Sequence, residues 1–416
     1  EFAWGVADSL IEIGVRCVIA AGWAVDDGPA QVFATTFYRE ILDRKPFITA
    51  VASAREAAWN ADRNSNTWAA YQAYGDPNWT YRRGAADAAS APPPPLQEEF
   101  GGVASPLGLA LALEELAVKS KFMRADAAGQ LEKVRHLEAR FATLWGDMGA
   151  VAEAFGLAYA EAGDRDAAIA WYTRALQCND ASASLKTHEQ LGNLRARRAW
   201  AQADKTTSAA ALAGPRAEIL KALHDLQALT AMQPTMERHS LCGSAFKRLG
   251  MLERKAGRAA QARQALKAAA EAYRQAELLA GNGPVTELFY PALNRMALEL
   301  VAHLGQPGWA GFDADESAAV RRSLQAKATD DPDFWCYAGL VEIEMYEAVA
   351  AGLLADALPV LQDRHAELHG RVAGRNLWGS VADQANFVLT AYAGHAQGSE
   401  AEAANTLLTV LRGYAK

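Results

Sequence analysis

The sequence predicts a mainly α-helical protein in which a solenoid of helix pairs follows the C-terminal part of an α/β domain. Alanine dominates from about Gly101 onward, which favours helices over strands. One spacing of small residues occurs twice in this alanine-rich region, as it does in helical repeats. Before that region, a short apolar run ends in two aspartates, which is typical of a strand in an α/β fold. At 416 residues the chain is long enough for two or three domains.

The charge and the cysteine content exclude several classes of function. A net charge of −8 and the lack of a Lys/Arg cluster argue against binding to nucleic acid. The four cysteines lie far apart without a Cys-x-x-Cys pair, so we predict no zinc site, no disulfide framework and no cofactor. No apolar run is long enough to span a membrane, and we expect a protein of the reducing cytoplasm.

The first predicted elements are a helix over Glu1–Ile13 and a buried strand over Cys17–Ala24. Helical spacing of apolar residues, followed by Gly14, indicates the helix. The strand is short and apolar and is bounded by turn-forming residues, as a central strand of a parallel sheet would be. Asp26 and Asp27 follow its C-terminal end, where α/β folds place binding residues.

Two further helices and a second strand complete the predicted N-terminal part. Pro29 fits the first position of one helix, Pro46 begins another that runs to about Trp59, and an aromatic-rich strand covers Thr67–Tyr74. Two strands and three helices cannot cover both faces of a parallel sheet, and five of the eleven tryptophans lie in the first 83 residues. We therefore expect this part to complete its sheet with another polypeptide.

Composition also predicts the domain boundaries. The first domain covers residues 1–83, a linker covers residues 84–105, and a helical repeat domain covers residues 106–416. The linker carries four consecutive prolines, Pro92–Pro95, which favour a stiff and extended spacer.

A helical repeat is clearest in residues 152–180. Gly156 and Ala168 are small where two helices would cross closely, while aromatic side chains fill the space beside them. The motif resembles the tetratricopeptide pattern and departs from it at Ala152 and Asp180, where the pattern has Trp and Pro. Its residues are Phe155, Gly156, Tyr159, Gly163, Ala168, Tyr172, Ala175 and Leu176.

The same spacing recurs further along the chain. Gly250, Gly257 and Ala262 repeat the offsets of the first motif, seven residues between the glycines and five more to the alanine. Leu191 and Gly192 follow the first Phe-Gly pair by 36 residues, close to the tetratricopeptide period of about 34. The resemblance implies an α-solenoid of tetratricopeptide-like helix pairs with a groove that binds a protein ligand.

Five short segments near the N-terminus together resemble the C-terminal half of a CHAT domain, over about Gly5 to Pro77. CHAT proteins are caspase-like cysteine peptidases related to separase. The resemblance therefore implies a caspase-like α/β fold and endopeptidase activity, in a bacterial setting of regulated proteolysis or defence. The segments are Gly14-x-Arg16, Trp23-x-Val25-Asp26-Asp27, Phe37-Tyr38, Trp68-Ala69-Ala70 and Tyr74-Gly75-Asp76-Pro77.

The resemblance also implies that the catalytic His and Cys lie in the preceding half of the family's domain. Residues 1–77 contain no histidine, and all eight histidines lie in the repeat region. Because a cysteine nucleophile needs a base, we expect no catalytic residue in this chain. It is either the small subunit left by cleavage, paired with an upstream large-subunit segment of the same peptidase, or a truncated chain. We favour the small subunit, because an exposed apolar half-domain would otherwise aggregate.

Three residues form the candidate substrate-binding site: Asp27, Asp26 and Trp23. In separase-like members the acidic end of this strand receives the basic side chain before the scissile bond, and a carboxylate can hold Arg in a bidentate pair. One aspartate is also expected to cap the Pro29 helix. By the family pattern we assign capping to Asp26 and recognition to Asp27. Trp23 either lines the same subsite or fills the core.

Two other candidates have structural interpretations. Cys17 lies in an apolar strand with no histidine near it in sequence, and we interpret it as a small buried residue. His365 and His369 stand one helical turn apart, which could hold a metal. The stretch His-Ala-Glu-Leu-His is not the His-Glu-x-x-His zinc motif, however, and we expect a solvated helix face and no metal.

Two functions from different classes stay open at this point. One is the small-subunit part of a cysteine endopeptidase that cleaves protein substrates after a basic residue, with the repeats for regulation or partner binding. The other is a non-catalytic repeat scaffold for protein binding that carries an incomplete peptidase domain.

Overall fold

The computed structural model describes most of the chain. The described residues are 10, 15–81, 96–122, 127–206, 208–281, 285–306, 308–372 and 374–415. They fall into two compact units, residues 1–112 and 113–416, which we treat separately. The helix predicted over Glu1–Ile13 (Leu10 excepted) and the spacer Pro92–Pro95 lie outside the described residues. Our boundaries for the domains and the linker stay predictions.

The first unit contains a two-stranded antiparallel sheet. Strand β1 (Cys17–Ala21) pairs with β2 (Tyr71–Gly75), and the register places the first residue of β1 opposite the last of β2. The prediction of a parallel arrangement is wrong, because an apolar run indicates burial and not the direction of its neighbour. The prediction of a buried strand reaching Ala24 is also wrong: β1 is only partly buried, and after Ala21 the chain bends away.

Three helices surround this sheet: α1 (Asp27–Leu42), α2 (Phe47–Ala61) and α3 (Thr67–Ala70). The helix predicted after Pro46 is confirmed as α2. Helix α1 begins at Asp27, so Pro29 is its third residue and not its first; its missing N–H is harmless at either position, because the first four N–H groups of a helix have no partner within it. The predicted second strand begins in a helical turn, α3, and becomes a strand only at β2.

Aromatic packing holds the helices of the first unit against the strands. Phe33 of α1 stacks on Tyr71 of β2 with ring centroids 3.9 Å apart, and Phe37 meets Phe47 of α2 edge-on at 6.0 Å. Val51 is buried in the same core. This packing holds α1 against β2 and α2.

Helices make up the rest of the described chain. Two short 3-10 helices, Ala210–Leu212 and Val285–Glu287, interrupt the series. The α-helices are α4 (Leu96–Glu99), α5 (Pro106–Phe122), α6 (Ala127–Trp145), α7 (Gly149–Glu161), α8 (Arg165–Ala175), α9 (Leu185–Lys205), α10 (Ala213–Met232), α11 (Met236–Lys255), α12 (Ala259–Ala280), α13 (Phe289–His303), α14 (Ala314–Asp330), α15 (Phe334–Ala351), α16 (Leu354–Arg371), α17 (Arg375–Ala393) and α18 (Ser399–Tyr414).

Successive helices of the second unit pack as pairs, which confirms the predicted α-solenoid. Helix α7 packs on α8, α9 on α10, α11 on α12, α15 on α16 and α17 on α18. The glycines predicted at helix crossings lie at such crossings. A Cβ atom on Gly156 would lie 2.6 Å from the ring of Tyr172, and one on Gly250 would lie 2.7 Å from Leu266. Neither position has room for a side chain.

The second glycine of each motif makes the turn inside its helix pair. Gly163 has φ +90° and Gly257 has φ +73°, left-handed conformations that glycine adopts at the lowest cost. After the first of these turns, the carboxylate of Asp164 accepts a hydrogen bond from the N–H of Ala167 at 3.1 Å and so caps α8. The seven-residue spacing between the two glycines of each motif is therefore the distance along the chain from the helix crossing to the turn of the same pair.

None of the described helices combines the length with the hydropathy that a membrane span requires.

Candidate functional site

The predicted substrate-binding residues lie between the end of β1 and the start of α1. Trp23 follows the strand in a bend and is 45% exposed. Asp26 is the residue before α1 and Asp27 is the first residue of that helix; both are exposed. A core position for Trp23 is therefore wrong, because nearly half of its surface stays open. Whether the three residues bind substrate stays a prediction.

Asp26 is held by the turn that precedes α3. Its N–H donates to Oγ1 of Thr67 at 2.9 Å, and its Oδ2 accepts a hydrogen bond from Oγ of Ser65 at 2.5 Å. Asp26 occupies the N-cap position of α1, but its carboxylate makes no capping bond to that helix. The predicted capping role is wrong, because the hydroxyl of Ser65 engages the carboxylate instead.

Asp27 has a different environment although it is the next residue. Its carboxylate forms no hydrogen bond or ion pair with any residue in the described part of the chain. It lies in the first turn of α1, where the helix dipole favours a negative charge. Of two adjacent carboxylates, one is therefore engaged within the fold and the other faces solvent.

Cys17 lies in β1 and is only partly buried, so the expectation of a buried residue is wrong. Its Sγ lies 3.6 Å from the carbonyl oxygen of Asp76. Burial, together with the negative charge of Asp76, raises the pKa of the Cys17 thiol and so disfavours the thiolate. Residues 15–81 contain no histidine that could act as its base.

His365 and His369 do not form a solvated face. His365 is 3% exposed, and its Nδ1 lies 2.7 Å from the carbonyl oxygen of Leu361. His369 stacks on Tyr414 with ring centroids 4.2 Å apart, and both histidines lie beside Trp378. The expectation of a solvated face is wrong, because α17 and α18 pack over this side of α16. Burial lowers the pKa of His365, which favours its neutral form.

Helix α17 contacts helices that are far from it in the sequence. Asn376 donates to the carbonyl oxygens of Ala160 and Glu161 at the end of α7, at 3.1 and 2.8 Å. Ser380 accepts from the guanidinium of Arg197 in α9 at 2.9 Å, across 183 residues of sequence. These bonds place α17 against the first helices of the earlier pairs.

A pocket of about 580 Å³ lies among α9, α11, α12, α13, α15 and α17. Lys247 of α11 lines it and donates to the amide oxygen of Gln384, whose amide N–H donates to the hydroxyl of Tyr346 at 2.8 Å. That hydroxyl donates in turn to Glu342. Burial, and next the charge of Arg248, lowers the pKa of Lys247 to about 7; burial also raises the pKa of the Glu342 carboxyl.

The sequence reasoning missed this pocket. Lys247 and Arg248 stand in the run Leu-Cys-Gly-Ser-Ala-Phe-Lys-Arg-Leu-Gly, inside a helix whose neighbouring residues are small and apolar. Lysine and arginine are seldom buried without a partner, so two cations in an apolar stripe were the available signal.

Two family models match parts of the chain. Residues 2–76 match the model of the CHAT domain, and residues 164–299 match the model of the Tetratricopeptide Repeats-Sensor family. The chain carries a CHAT segment followed by tetratricopeptide repeats. The exposed Asp27 lies in the CHAT segment. Arg197, Lys247 and Arg248, which line the pocket, lie within the residues that match the repeat model.

One solved structure with a detectable likeness is the crystal structure of the yeast Tom70. It is 12% identical in sequence over 76% of each chain, with a TM-score of 0.20. No curated protein matches the chain.

Proposed function

We propose that the CHAT segment is the small-subunit part of a caspase-like cysteine endopeptidase that cleaves protein substrates after a basic residue. The observation that carries the proposal is the free carboxylate of Asp27 at the start of α1, six residues after the end of β1. A substrate Arg or Lys needs an acidic partner that the fold has not already engaged. Asp26 is engaged by Ser65 and Thr67, which leaves Asp27 as the partner, with the exposed ring of Trp23 close to it in the chain.

The catalytic His and Cys come, in this proposal, from a large-subunit segment of the same peptidase that pairs with the CHAT segment. Exposed aromatic residues in the first unit support such a partner: Tyr38 is 63% exposed, Trp59 39% and Trp68 38%. The rings of Trp59 and Trp68 also contact each other edge-on at 5.6 Å, which makes a joined apolar surface. Large exposed apolar patches mark association surfaces.

The repeats act as the regulatory part of this peptidase. Their family model is that of a sensor, and tetratricopeptide arrays mediate protein binding. We place a protein ligand on the repeats and the assembly in the cytoplasm, where the four free cysteines would remain reduced.

One observation favours a second function, a protein-binding scaffold without catalysis. Residues 15–81 contain one cysteine, Cys17, and no histidine. The pKa of the Cys17 thiol is raised, which disfavours the thiolate. On that alternative the CHAT segment caps an interaction array and cleaves nothing.

A substrate library tests the proposal against the scaffold. The assembled protein, this chain together with the segment that carries the catalytic dyad, is incubated with internally quenched peptides that vary at the residue before the scissile bond. We expect cleavage after Arg and Lys, abolished by Cys→Ala in the partner segment. A preference for acidic or apolar residues, or no cleavage of any peptide, would contradict the proposal.

A further inference from the structure

The interior pocket of the repeats, which is the cavity among α9, α11, α12, α13, α15 and α17, carries more acidic than basic side chains. Four cations of the described residues line it: Arg197, Lys247, Arg248 and Lys327. Six carboxylates line the same cavity, so acidic groups are in excess. They are Glu237, Glu287, Asp331, Asp333, Glu342 and Asp383.

Three of the cations have acidic neighbours in Asp383 and Glu342. The carboxylate of Asp383 lies 3.6 Å from the guanidinium of Arg197 and 3.9 Å from that of Arg248. The negative charge of Glu342 acts on Lys247 and favours its protonated form. Buried charges are normally compensated in this way, because desolvation without compensation is costly. The cations of α9 and α11 therefore need no anionic ligand.

The other four carboxylates of the interior pocket face a single cation. Lys327 forms ion pairs with Asp331 and with Asp333, the second at 3.8 Å. Glu237 and Glu287 form no hydrogen bond and no ion pair with any residue that the structure describes. The surplus of negative charge therefore belongs to Glu237 and Glu287.

Glu237, in the first turn of α11, faces the interior pocket and not open solvent. Its side chain is accessible to water, but burial raises the pKa of its carboxyl. The charge of Glu189 adds to this rise, and the charge of Lys186 opposes it. A nearby opposite charge favours the ionised form of a carboxyl. The desolvated carboxylate of Glu237 therefore gains from a cationic ligand.

The side chain of Tyr290 opens on the same space. It is 37% exposed, yet burial raises the pKa of its hydroxyl to about 12, and the charge of Glu237 is the next cause. The hydroxyl of Tyr290 forms no hydrogen bond with a residue in the described part of the chain. Carboxylate and hydroxyl oxygens both accept hydrogen bonds, and an ammonium or guanidinium group carries only donors. Glu237 and Tyr290 thus offer two acceptors that lack a donor.

The interior pocket also has an aromatic wall, formed by Trp200, Phe289 and Trp335. The face of an aromatic ring attracts a cation, and the same wall packs against an apolar body. A cavity of about 580 Å³ with such a wall and a few polar groups has the size of a small-molecule site, roughly 300–1,000 Å³. Charge and wall together favour a ligand that is both cationic and apolar.

An extended peptide fits this site less well than a small molecule, because α17 already bonds to the helices along which a peptide would run. Asn376, Ser380 and Gln384 of α17 bond to α7, α9 and α11 in turn. The space beside α17 is the interior pocket.

We propose that the interior pocket binds a small organic cation, with its ammonium or guanidinium group at Glu237 and Tyr290 and its apolar body on the aromatic wall. This ligand goes beyond the proposed function, in which a protein ligand occupies the repeats. Its binding is measured on the chain without any cleavage, so the two proposals stand or fall separately.

Isothermal titration of the full chain tests the charge of the ligand with compounds of nearly the same shape. The probes are 2-phenylethylamine, its neutral analogue 2-phenylethanol, the anion 3-phenylpropionate, ammonium chloride and a short lysine-rich peptide. We expect 2-phenylethylamine to bind at least about 10-fold more tightly than each of the other four, since it alone combines the charge with a small apolar body. A change in tryptophan fluorescence should accompany binding, because Trp200 and Trp335 line the pocket.

Two variants separate the site from general charge effects. Glu237→Gln keeps the shape of the side chain and should weaken 2-phenylethylamine binding by about 10-fold or more, since a hydrogen bond between charged groups is lost. Glu402→Gln is the matched control and should leave binding unchanged. Glu402 is also an exposed carboxylate in the first turn of a helix, α18, but it lies outside the pocket. Circular dichroism confirms that each variant is folded before titration.

Four results would overturn the proposal: no binding of 2-phenylethylamine below about 1 mM, equal binding of 2-phenylethanol, tighter binding of 3-phenylpropionate or the peptide, or equal losses in Glu237→Gln and Glu402→Gln. The comparison of the amine with the alcohol uses the parent chain, so it decides the matter even if Glu237→Gln does not fold. A failed cleavage assay leaves this proposal unaffected.

Discussion

Asp26 and Asp27 are adjacent residues of the same type that have different hydrogen-bond environments. Both are exposed carboxylates at the start of α1, and the sequence gives no means of telling which one the fold engages. The distinction comes from Ser65, 39 residues away, whose hydroxyl bonds to Asp26. Family resemblance favoured Asp27 for recognition, and the hydrogen bonds of Asp26 agree with that preference without testing it.

The first prediction at the residue scale concerns Asp26. Asp26→Ala should lower the free energy of unfolding by about 1 kcal/mol, because the hydrogen bond from Ser65 is lost. Cleavage preference should be kept. Asp43→Ala, which removes an exposed carboxylate at the other end of α1, is the matched control and should change stability by less. Equal melting temperatures for the two variants would show that the Ser65 bond contributes nothing.

The second prediction concerns Lys247, whose pKa falls from 10.5 to about 7 on folding. Between pH 7 and pH 10 the unfolded chain therefore binds one more proton at this residue than the folded chain does. The buried charge of Lys247 therefore lowers the free energy of unfolding by its full amount below pH 7. This loss of stability shrinks as the pH rises toward 10. The titratable groups that face Lys247 are Arg197 of α9, Arg248 of α11, Glu342 of α15 and Asp383 of α17.

Thermal unfolding at pH 6 and at pH 9 measures this effect. The gain in free energy of unfolding of Lys247→Met over the parent protein should be larger at pH 6 than at pH 9. The methionine removes a buried charge that exists only at the lower pH. Lys221→Met, which removes an exposed lysine of α10 outside the pocket, is the control and should show no such difference. A Lys247→Met effect that is the same at both pH values would mean that the lysine keeps its proton throughout.

At the scale of elements, the helix pairs were predictable and the strand pairing was not. Gly156 and Gly250 mark crossings because their neighbours in space, Tyr172 and Leu266, come from the next helix of the same pair. The constraint is local, so the spacing in the sequence records it. The direction of β1 depends on β2, whose residues pair with it across 50 to 58 positions of sequence, and no local pattern encodes it.

The third prediction tests these crossings. Gly156→Leu and Gly250→Leu should each destabilise the protein by roughly 1–3 kcal/mol, because the added side chain forces two packed helices apart. Gly214→Leu is the control, since nothing lies within 4 Å of a Cβ added there. Chemical denaturation measures all three variants. If the two crossing variants unfold like Gly214→Leu, the assignment of these glycines to close helix contacts is wrong.

At the scale of the whole molecule, the interior pocket was out of reach of the sequence. It forms from helices that span nearly two hundred residues, as the bond between Arg197 and Ser380 illustrates. Helix α17 meets α9 and α11 only in the folded helical array. The exposed aromatic surface of the first unit was predictable by contrast, because five tryptophans within 83 residues exceed what two short strands can bury.

The fourth prediction follows from that exposed surface. Residues 1–83 alone should bind the dye ANS or aggregate, because Tyr38, Trp59 and Trp68 remain exposed without a partner segment. Residues 106–416 alone should give a far-UV circular dichroism spectrum of an all-α protein and unfold cooperatively. Cooperative unfolding of residues 1–83 without dye binding would refute the need for a partner.

The measurement that tests the central claim most directly is the cleavage specificity of the assembled peptidase with Asp27→Ala. If Asp27 pairs with the basic side chain of the substrate, kcat/KM for peptides with Arg before the scissile bond should fall by about 10²-fold, since the substrate loses its charge partner. Asp43→Ala should leave that value unchanged. An Asp27→Ala enzyme that keeps both the rate and the preference for Arg would contradict the account.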